Sequence, residues 1–293
     1  MNELEISAAT NAPESAREQV ILANKEFYRQ IASKYDHYEY CASDAFFQNV
    51  IEEDLESIHC ALAHRKDPIR CLDCGGGTGN VTLKMLRRGW LVTVVDVSSD
   101  MLEILKTKVN SARQQAVFIN DSVENFFSRT HAEFDVISFS SVLHHLYSPL
   151  SVVTRAAHRV SPGGFFYSIF DPVPPSSQFA AACFGALDTA LAKMLYDRRD
   201  LLPGLKRRWR KLRTAEDPAH GRAVVSAGDL AEYHARKGIN DESIRERLRD
   251  LGFRVDYRRY AVGRTPLLRY VNGYLRVLLN FRILAERSDG SIG

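Results

Sequence analysis

Eight consecutive residues, Asp73-Cys74-Gly75-Gly76-Gly77-Thr78-Gly79-Asn80, stand between an apolar run and a helical pattern. Glycine at 75, 77 and 79 lets the backbone turn sharply and lets a ligand lie against bare main chain. A dinucleotide fingerprint, G-x-G-x-x-G, would seat a pyrophosphate on the N-terminus of the following helix. Counted from Gly75 its sixth position is Asn80, and counted from Gly77 it is Thr82, so neither register fits. Asp73, just ahead of the glycines, suits a ligand that carries an ammonium group, because opposite charge favours that pairing. A second acid, Asp96, closes the next apolar run, and its carboxylate offers two acceptor oxygens. His144 and His145 follow a later run, where the carboxyl ends of parallel strands gather ligands. An imidazole suits a general base at neutral pH, but neighbouring residues at a helix start point apart, so at most one of the two faces a pocket.

These residues need a sheet behind them. IRCLD (69–73), LVTVVD (91–96), AVFIN (116–120), FDVISFS (134–140) and GGFFYSIF (163–170) are short β-rich runs. Val81–Arg88, Ser99–Ser111, Ser122–Thr130 and Ser151–Val160 read as helices or helix-containing connections between them. Strands alternating with helices predict an α/β, Rossmann-like, mostly parallel sheet with right-handed crossovers and helices on both faces. Ahead of it, residues 1 to about 18 read as loose, and Gln19 to Ala63 as helical, with Tyr28 and Tyr35 seven apart on one face. After Phe170 the alternation stops at DPVPPSSQ, and a stretch of helical character runs to Gly238. Asn240 caps a helix over Asp241–Leu251 with Gly252 at C′. FRVDYRRYAV (253–262) and FRILAER (281–287) read as last strands, with a helix between them. The expected organisation is a single domain over 1–293. It comprises a helical N-terminal cover (1–66), a ligand-binding core (67–172), a helical substrate-side insertion (173–240) and a C-terminal helix with strands (241–293).

Asp73 to Gly79 resembles motif I, D-x-G-x-G-x-G, of class I S-adenosylmethionine-dependent methyltransferases of the small-molecule type. The resemblance covers 69–170 well, the last two strands weakly, and says little about 173–240. It implies that S-adenosylmethionine is the cofactor and S-adenosylhomocysteine the product, held by Asp73, Gly75, Gly77 and Gly79. It further implies that Asp96 binds both ribose hydroxyls and that Val97 and Met101 pack on the adenine. Asp121, next to Ser122, would accept from the adenine amino group, Ser140 would lie beside the methionine end, and SPGG (161–164) would be the turn before the fifth strand. Members often close the site with a tyrosine from the N-terminal cover, which points to Tyr35, with Tyr28, Tyr38 and Tyr40 as further candidates; core packing is the equal alternative for each. Enzymes that methylate amino groups of nucleic-acid bases commonly carry (Asp/Asn/Ser)-Pro-Pro-aromatic after the fourth strand. Here Ser140-Ser141-Val142-Leu143 stands there, and Asp171-Pro172-Val173-Pro174-Pro175 lies after the fifth, which argues against a DNA substrate.

The implied chemistry is methyl transfer to a small or medium-sized organic acceptor, with O-methylation the first reading. The sulfonium supplies the driving force, so the protein must align the nucleophile, exclude water and, for a hydroxyl, remove a proton, for which His144 and His145 are the candidates. The alternatives are an RNA or macromolecule methyltransferase and a non-catalytic scaffold that binds the cofactor.

The totals narrow the rest. Among 293 residues a net charge of +3 excludes electrostatic nucleic-acid binding by the molecule as a whole. Locally, Leu205, Trp209 and Leu212 fall at i, i+4 and i+7 among Lys206, Arg207, Arg210, Lys211 and Arg213. Such a helix can rest on an anionic membrane, bind RNA or receive an anionic acceptor, or it can be a solvated face. The N-terminal residues lack a basic and an apolar region, and Phe179–Leu195 is broken by Asp188 and Lys193, so a cytoplasmic protein is expected. Five scattered cysteines fit a reducing compartment. Cys71 and Cys74 form C-x-x-C, but one lies in a strand and the other in the glycine loop, so small apolar filler is the expected role and no metal site is read.

Overall fold

A computed structural model describes residues 3–38, 44–174, 238–263, 266–274 and 278–289. The chain divides into two compact units. One is Met1–Pro174 with Ala227–Arg259 and Asn280–Gly293; the other is Pro175–Ser226 with Tyr260–Leu279.

The first unit opens with α1 (Glu3–Ile31), a 3-10 turn (Ala32–Lys34), α2 (Tyr35–Tyr38) and α3 (Ala45–Leu62). The stretch expected to be loose is therefore helical from Glu3; its alanines and glutamates favour a helix even without an apolar stripe. β1 (Arg70–Cys74), α4 (Thr82–Arg87), β2 (Leu91–Asp96), α5 (Ser99–Ser111), β3 (Ala116–Asn120), α6 (Val123–Arg129), β4 (Phe134–Ser140), a 3-10 turn (Leu143–His145), α7 (Pro149–Ala157) and β5 (Val160–Pro172) then alternate as expected. α8 (Asp241–Asp250), β6 (Phe253–Tyr260) and β7 (Asn280–Arg287) complete the unit.

The seven strands form one sheet in the order β3-β2-β1-β4-β5-β7-β6, with β1 to β5 parallel and β7 antiparallel to β5. The sequence order reverses direction at β1, the switch point where a crevice opens beyond the carboxyl ends of the strands. Register puts those ends level: Cys74 pairs with Val95 on one side and Phe139 on the other, and Asp96 with Asn120.

Local chemistry accounts for the boundaries. Ser98, Ser122 and Asn240 cap their helices through side-chain oxygens, and α7 begins with Pro149 at its first turn. Gly252, with φ +83°, ends α8 at C′ as expected. SPGG does not precede the fifth strand but lies inside it. The β4–β5 register slips between the pairs Phe134–Val160 and Val136–Phe165, so the turn residues form a bulge and the strand begins at Val160.

The core fills from both faces of the sheet, with Leu72, Val95, Ile137, Phe139, Phe166 and Ile283 buried. α3 lays Phe47, Ile51, Leu55, Ile58 and Leu62 inward, and the same stripe carries buried Asp54. Asp54 accepts from Arg282 Nε of β7 at 2.9 Å, and Arg282 also reaches Asp256 of β6 at 2.5 Å. In the second unit the described element is α9 (Pro266–Tyr274). Among the described residues no helix is long and apolar enough to cross a membrane.

Candidate functional site

A cleft opens at the carboxyl ends of β1, β2 and β4, and a smaller one adjoins it. Tyr35, Gly75, Gly77, Ser140 and Ser141 line both. The glycine loop is the shared wall. Gly75 N donates to Val95 O at 2.7 Å and ties the loop to β2. Gly75, Gly77 and Gly79 all take positive φ, and the reasons for glycine differ. A Cβ on Gly75 would come within 2.5 Å of Val142, and one on Gly79 within 2.2 Å of Leu105 of α5. At Gly77 nothing stands nearer than 4.0 Å, so the left-handed backbone alone requires glycine there.

Asp96 ends β2 on the floor of the larger cleft. Its Oδ2 accepts from Gly77 N and its Oδ1 from Ser98 N, both at 2.8 Å, so the plane of the carboxylate is set by the backbone. Burial pushes its pKa up to about 6 against the relief from those two donors. Asp73 lines the smaller cleft, behind the loop. Its two oxygens accept from Thr82 Oγ1 at 2.5 Å and Ser138 Oγ at 2.7 Å, and burial raises its carboxyl as well. Each oxygen retains acceptor capacity beyond these bonds.

The N-terminal helices roof this floor. Asp36 of α2 accepts from Thr78 Oγ1 and from Lys108 Nζ, each at 2.5 Å, and Lys108 also donates to Thr78 O. Tyr35 and, from α1, Ile21, Asn24 and Tyr28 line the larger cleft. Tyr28 Oη lies 2.7 Å from His145 Nε2, and Asn24 Nδ2 donates to His145 O at 3.0 Å.

The two histidines separate. His145 lines the cleft; His144 is buried and lines neither compartment. His144 Nδ1 lies 2.8 Å from Asp171 Oδ1, and the same oxygen accepts from His144 N. Asp171 is fully buried, and its other oxygen accepts from Ser168 Oγ at 3.2 Å. The imidazole rings of His144 and His145 stand 3.9 Å apart between centroids. Ser141 and Phe170, on the wall of the smaller cleft, hold φ of +60° and +70°, uncommon for residues with a side chain and concentrated where sites are built.

Of the residues singled out from sequence, Gly75, Gly77, Asp96, Val97, Met101, Ser122, Ser140, Tyr35 and His145 meet in the larger cleft. Asp73 stands at the smaller one. Gly79 lines neither and packs on α5. Asp121 also lines neither: its carboxylate turns to Arg129 and accepts from Ser122 N at 2.9 Å. Tyr40 and the basic stretch 205–213 lie outside the described residues. Cys71 and Cys74 are buried thiols whose pKa values burial pushes well up, as expected of filler.

Sequence reasoning missed Asn24, Glu124 and Asp171. Glu124, raised by burial, lines the cleft from the first turn of α6, and nothing in its spacing set it apart from a helix-start acid. Asp171 had a signal, since it stands at the carboxyl end of β5, where parallel strands place functional groups.

Known proteins resemble this chain in both sequence and fold. A ubiquinone biosynthesis O-methyltransferase of Dechloromonas aromatica (strain RCB) is 32% identical over 149 residues, covering 50% of this chain and 64% of that protein. One of Xanthomonas campestris pv. campestris (strain B100) is 29% identical over 181 residues, covering 57% and 74%. A tRNA 5-carboxymethoxyuridine methyltransferase of Escherichia coli (strain K12) is 28% identical over 125 residues, covering 42% and 47%. This chain thus spans less than two thirds of the first and third of these relatives. The structure of the plantazolicin methyltransferase BpumL with SAH shares the fold at a TM-score of 0.53 and 15% identity, over 95% of this chain and 98% of that one. The expected Rossmann-like, mostly parallel class I methyltransferase fold is therefore the observed one. A family model described as a methyltransferase domain matches residues 46–257, well over half of the chain, and the protein belongs to that methyltransferase-domain family.

Proposed function

We propose that this protein transfers the methyl group of S-adenosylmethionine to an oxygen of a small or medium-sized organic acceptor. The observation that carries the reading is Asp96. It is a buried carboxylate, oriented by two backbone N–H groups and facing a cleft beside a left-handed glycine loop. Vicinal ribose hydroxyls are the donors such a pair of oxygens accepts. Val97 and Met101 supply the apolar wall for a purine, and Ser122 the polar edge beside it. Asp73, Gly75, Gly77 and Ser140 would hold the amino-acid end, where Asp73's charge offsets an ammonium. The relatives named as O-methyltransferases support the choice of oxygen.

S-adenosylmethionine, when bound, supplies an electrophilic methyl on a positively charged sulfur. The chain's own residues have three tasks. Tyr35 and Tyr28 close the roof and keep water out. Tyr28 and His145 take the acceptor's proton. With His145 Nε2 as the acceptor of the phenol's hydrogen bond, the phenol oxygen keeps lone pairs for a substrate hydroxyl. Its own proton then passes to the imidazole across the 2.7 Å Oη–Nε2 hydrogen bond as the substrate's arrives. His144 is the orienting neighbour, held by Asp171, and does not itself meet the acceptor.

Calorimetric titration of the purified chain with S-adenosylmethionine, S-adenosylhomocysteine and NAD tests the reading. Binding of the first two without NAD is expected, and NAD binding without either overturns it.

A further inference from the structure

Charge is divided unevenly between the two compact units. Residues 175–226 and 260–279 hold 13 Lys and Arg against 5 Asp and Glu, a net charge of +8. The remainder holds 26 against 31, a net charge of −5, which the whole-chain value of +3 conceals. The segment 260–279 contains Arg264, Arg269 and Arg276 and no acid.

In this basic unit α9 presents an apolar face to solvent. Leu267, Tyr270 and Tyr274 are 68%, 74% and 80% exposed, high values for large apolar side chains. At about 100° per residue these three and Val271 fall within an arc of roughly 100°. The opposite side anchors the helix: Leu268 and Asn272 are buried, and Asn272 Nδ2 donates to Val262 O at 2.7 Å. The face therefore points outward because the other side is held.

We propose that this face of α9 is a docking surface for an anionic lipid bilayer. Leucine and tyrosine together suit the interface between headgroups and acyl chains, where a ring buries its body and keeps its hydroxyl wet. The excess of Lys and Arg in the sequence of this unit supplies long-range attraction to anionic headgroups. An RNA-binding face interleaves cations with its aromatics; the exposed arc of α9 carries no cation, which favours the bilayer over RNA. Three side chains on one face make the contact shallow and reversible.

Co-sedimentation of the full chain with two kinds of vesicle tests this: phosphatidylcholine alone, and phosphatidylcholine with roughly a third phosphatidylglycerol. Binding to the anionic vesicles only, lost at about 0.5 M NaCl, is expected. Replacing Leu267, Tyr270 and Tyr274 together by Ser should weaken it at least about tenfold, with the melting temperature unchanged. Because a triple change can perturb folding, Tyr274→Trp gives a second readout. Its added fluorescence should shift to the blue on anionic vesicles and stay fixed on neutral ones. Equal binding to both vesicle types, undiminished binding of the triple Ser variant, or retention on single-stranded RNA without vesicle binding would each overturn the proposal.

Discussion

At the residue scale, Asp96 carries two opposing demands. Burial lifts its pKa from 3.8 to about 6, so the folded state holds its proton more tightly than the unfolded chain does. Its contribution to stability is therefore present at low pH and is lost as pH rises from about 4 through 6, a loss of about 3 kcal/mol by neutrality. Ligand binding runs the other way, because hydroxyl donors need the ionised carboxylate. S-adenosylmethionine should bind about tenfold more weakly at pH 5 than at pH 7, and Asp96→Ala should remove roughly 2–3 kcal/mol of affinity at neutral pH. Calorimetry across pH checks both, and a flat affinity between pH 5 and 7 would remove Asp96 from the ligand's contacts. Tyr28 makes a different prediction. Tyr28→Phe deletes the hydroxyl 2.7 Å from His145 Nε2 but leaves the ring that packs edge-on to the imidazole. Turnover should fall about a hundredfold with S-adenosylmethionine affinity nearly unchanged. Equal losses in both would show that the tyrosine only roofs the site.

At the scale of elements, β7 depends on a charge pair in the core. Asp54 of α3 and Arg282 of β7 are both under a tenth exposed, and Asp256 of β6 shares the guanidinium. Removing one partner strands the other in a medium that cannot solvate it. Asp54→Ala should cost about 3 kcal/mol in urea denaturation, whereas Asp54→Ala with Arg282→Met should recover part of the loss. Equal destabilisation by the single and double variants would mean that α3 is held by its apolar stripe alone. The pair also shows why a sequence reading stops short at this edge. Asp54 and Arg282 lie 228 residues apart, and neither periodicity nor capping connects them. Helix boundaries, by contrast, were legible wherever a single residue decides them, as at Asn240 and Gly252.

At the scale of the molecule, the division of charge between the units frames what residues 173–240 do. If the basic stretch 205–213 receives an anionic acceptor, replacing Arg207, Arg210 and Lys211 together by Gln should raise KM for that acceptor and flatten its salt dependence. KM for S-adenosylmethionine should stay nearly constant. Steady-state kinetics at low and moderate salt decide the matter, and unchanged acceptor kinetics would leave only a solvated face. The strand–helix alternation, the glycine loop and Asp96 were readable from sequence alone, because each expresses a local rule: strand and helix periodicity, φ above zero, an acid at a strand end. Which side chains meet is a different kind of fact. His144 and His145 are neighbours in the chain, yet one is locked behind β5 by Asp171 and the other faces the cleft, a choice made by the 3-10 turn after β4. Asp121 sits where the family pattern expects a ligand contact, yet its carboxylate pairs with Arg129, two turns along, and lines neither cleft. Tyr28 and Asn24 reach the site only because α1 crosses over the carboxyl ends of the strands. Local rules act over a few residues and are written in order along the chain; the pairing of distant surfaces is decided by packing, which no short window contains.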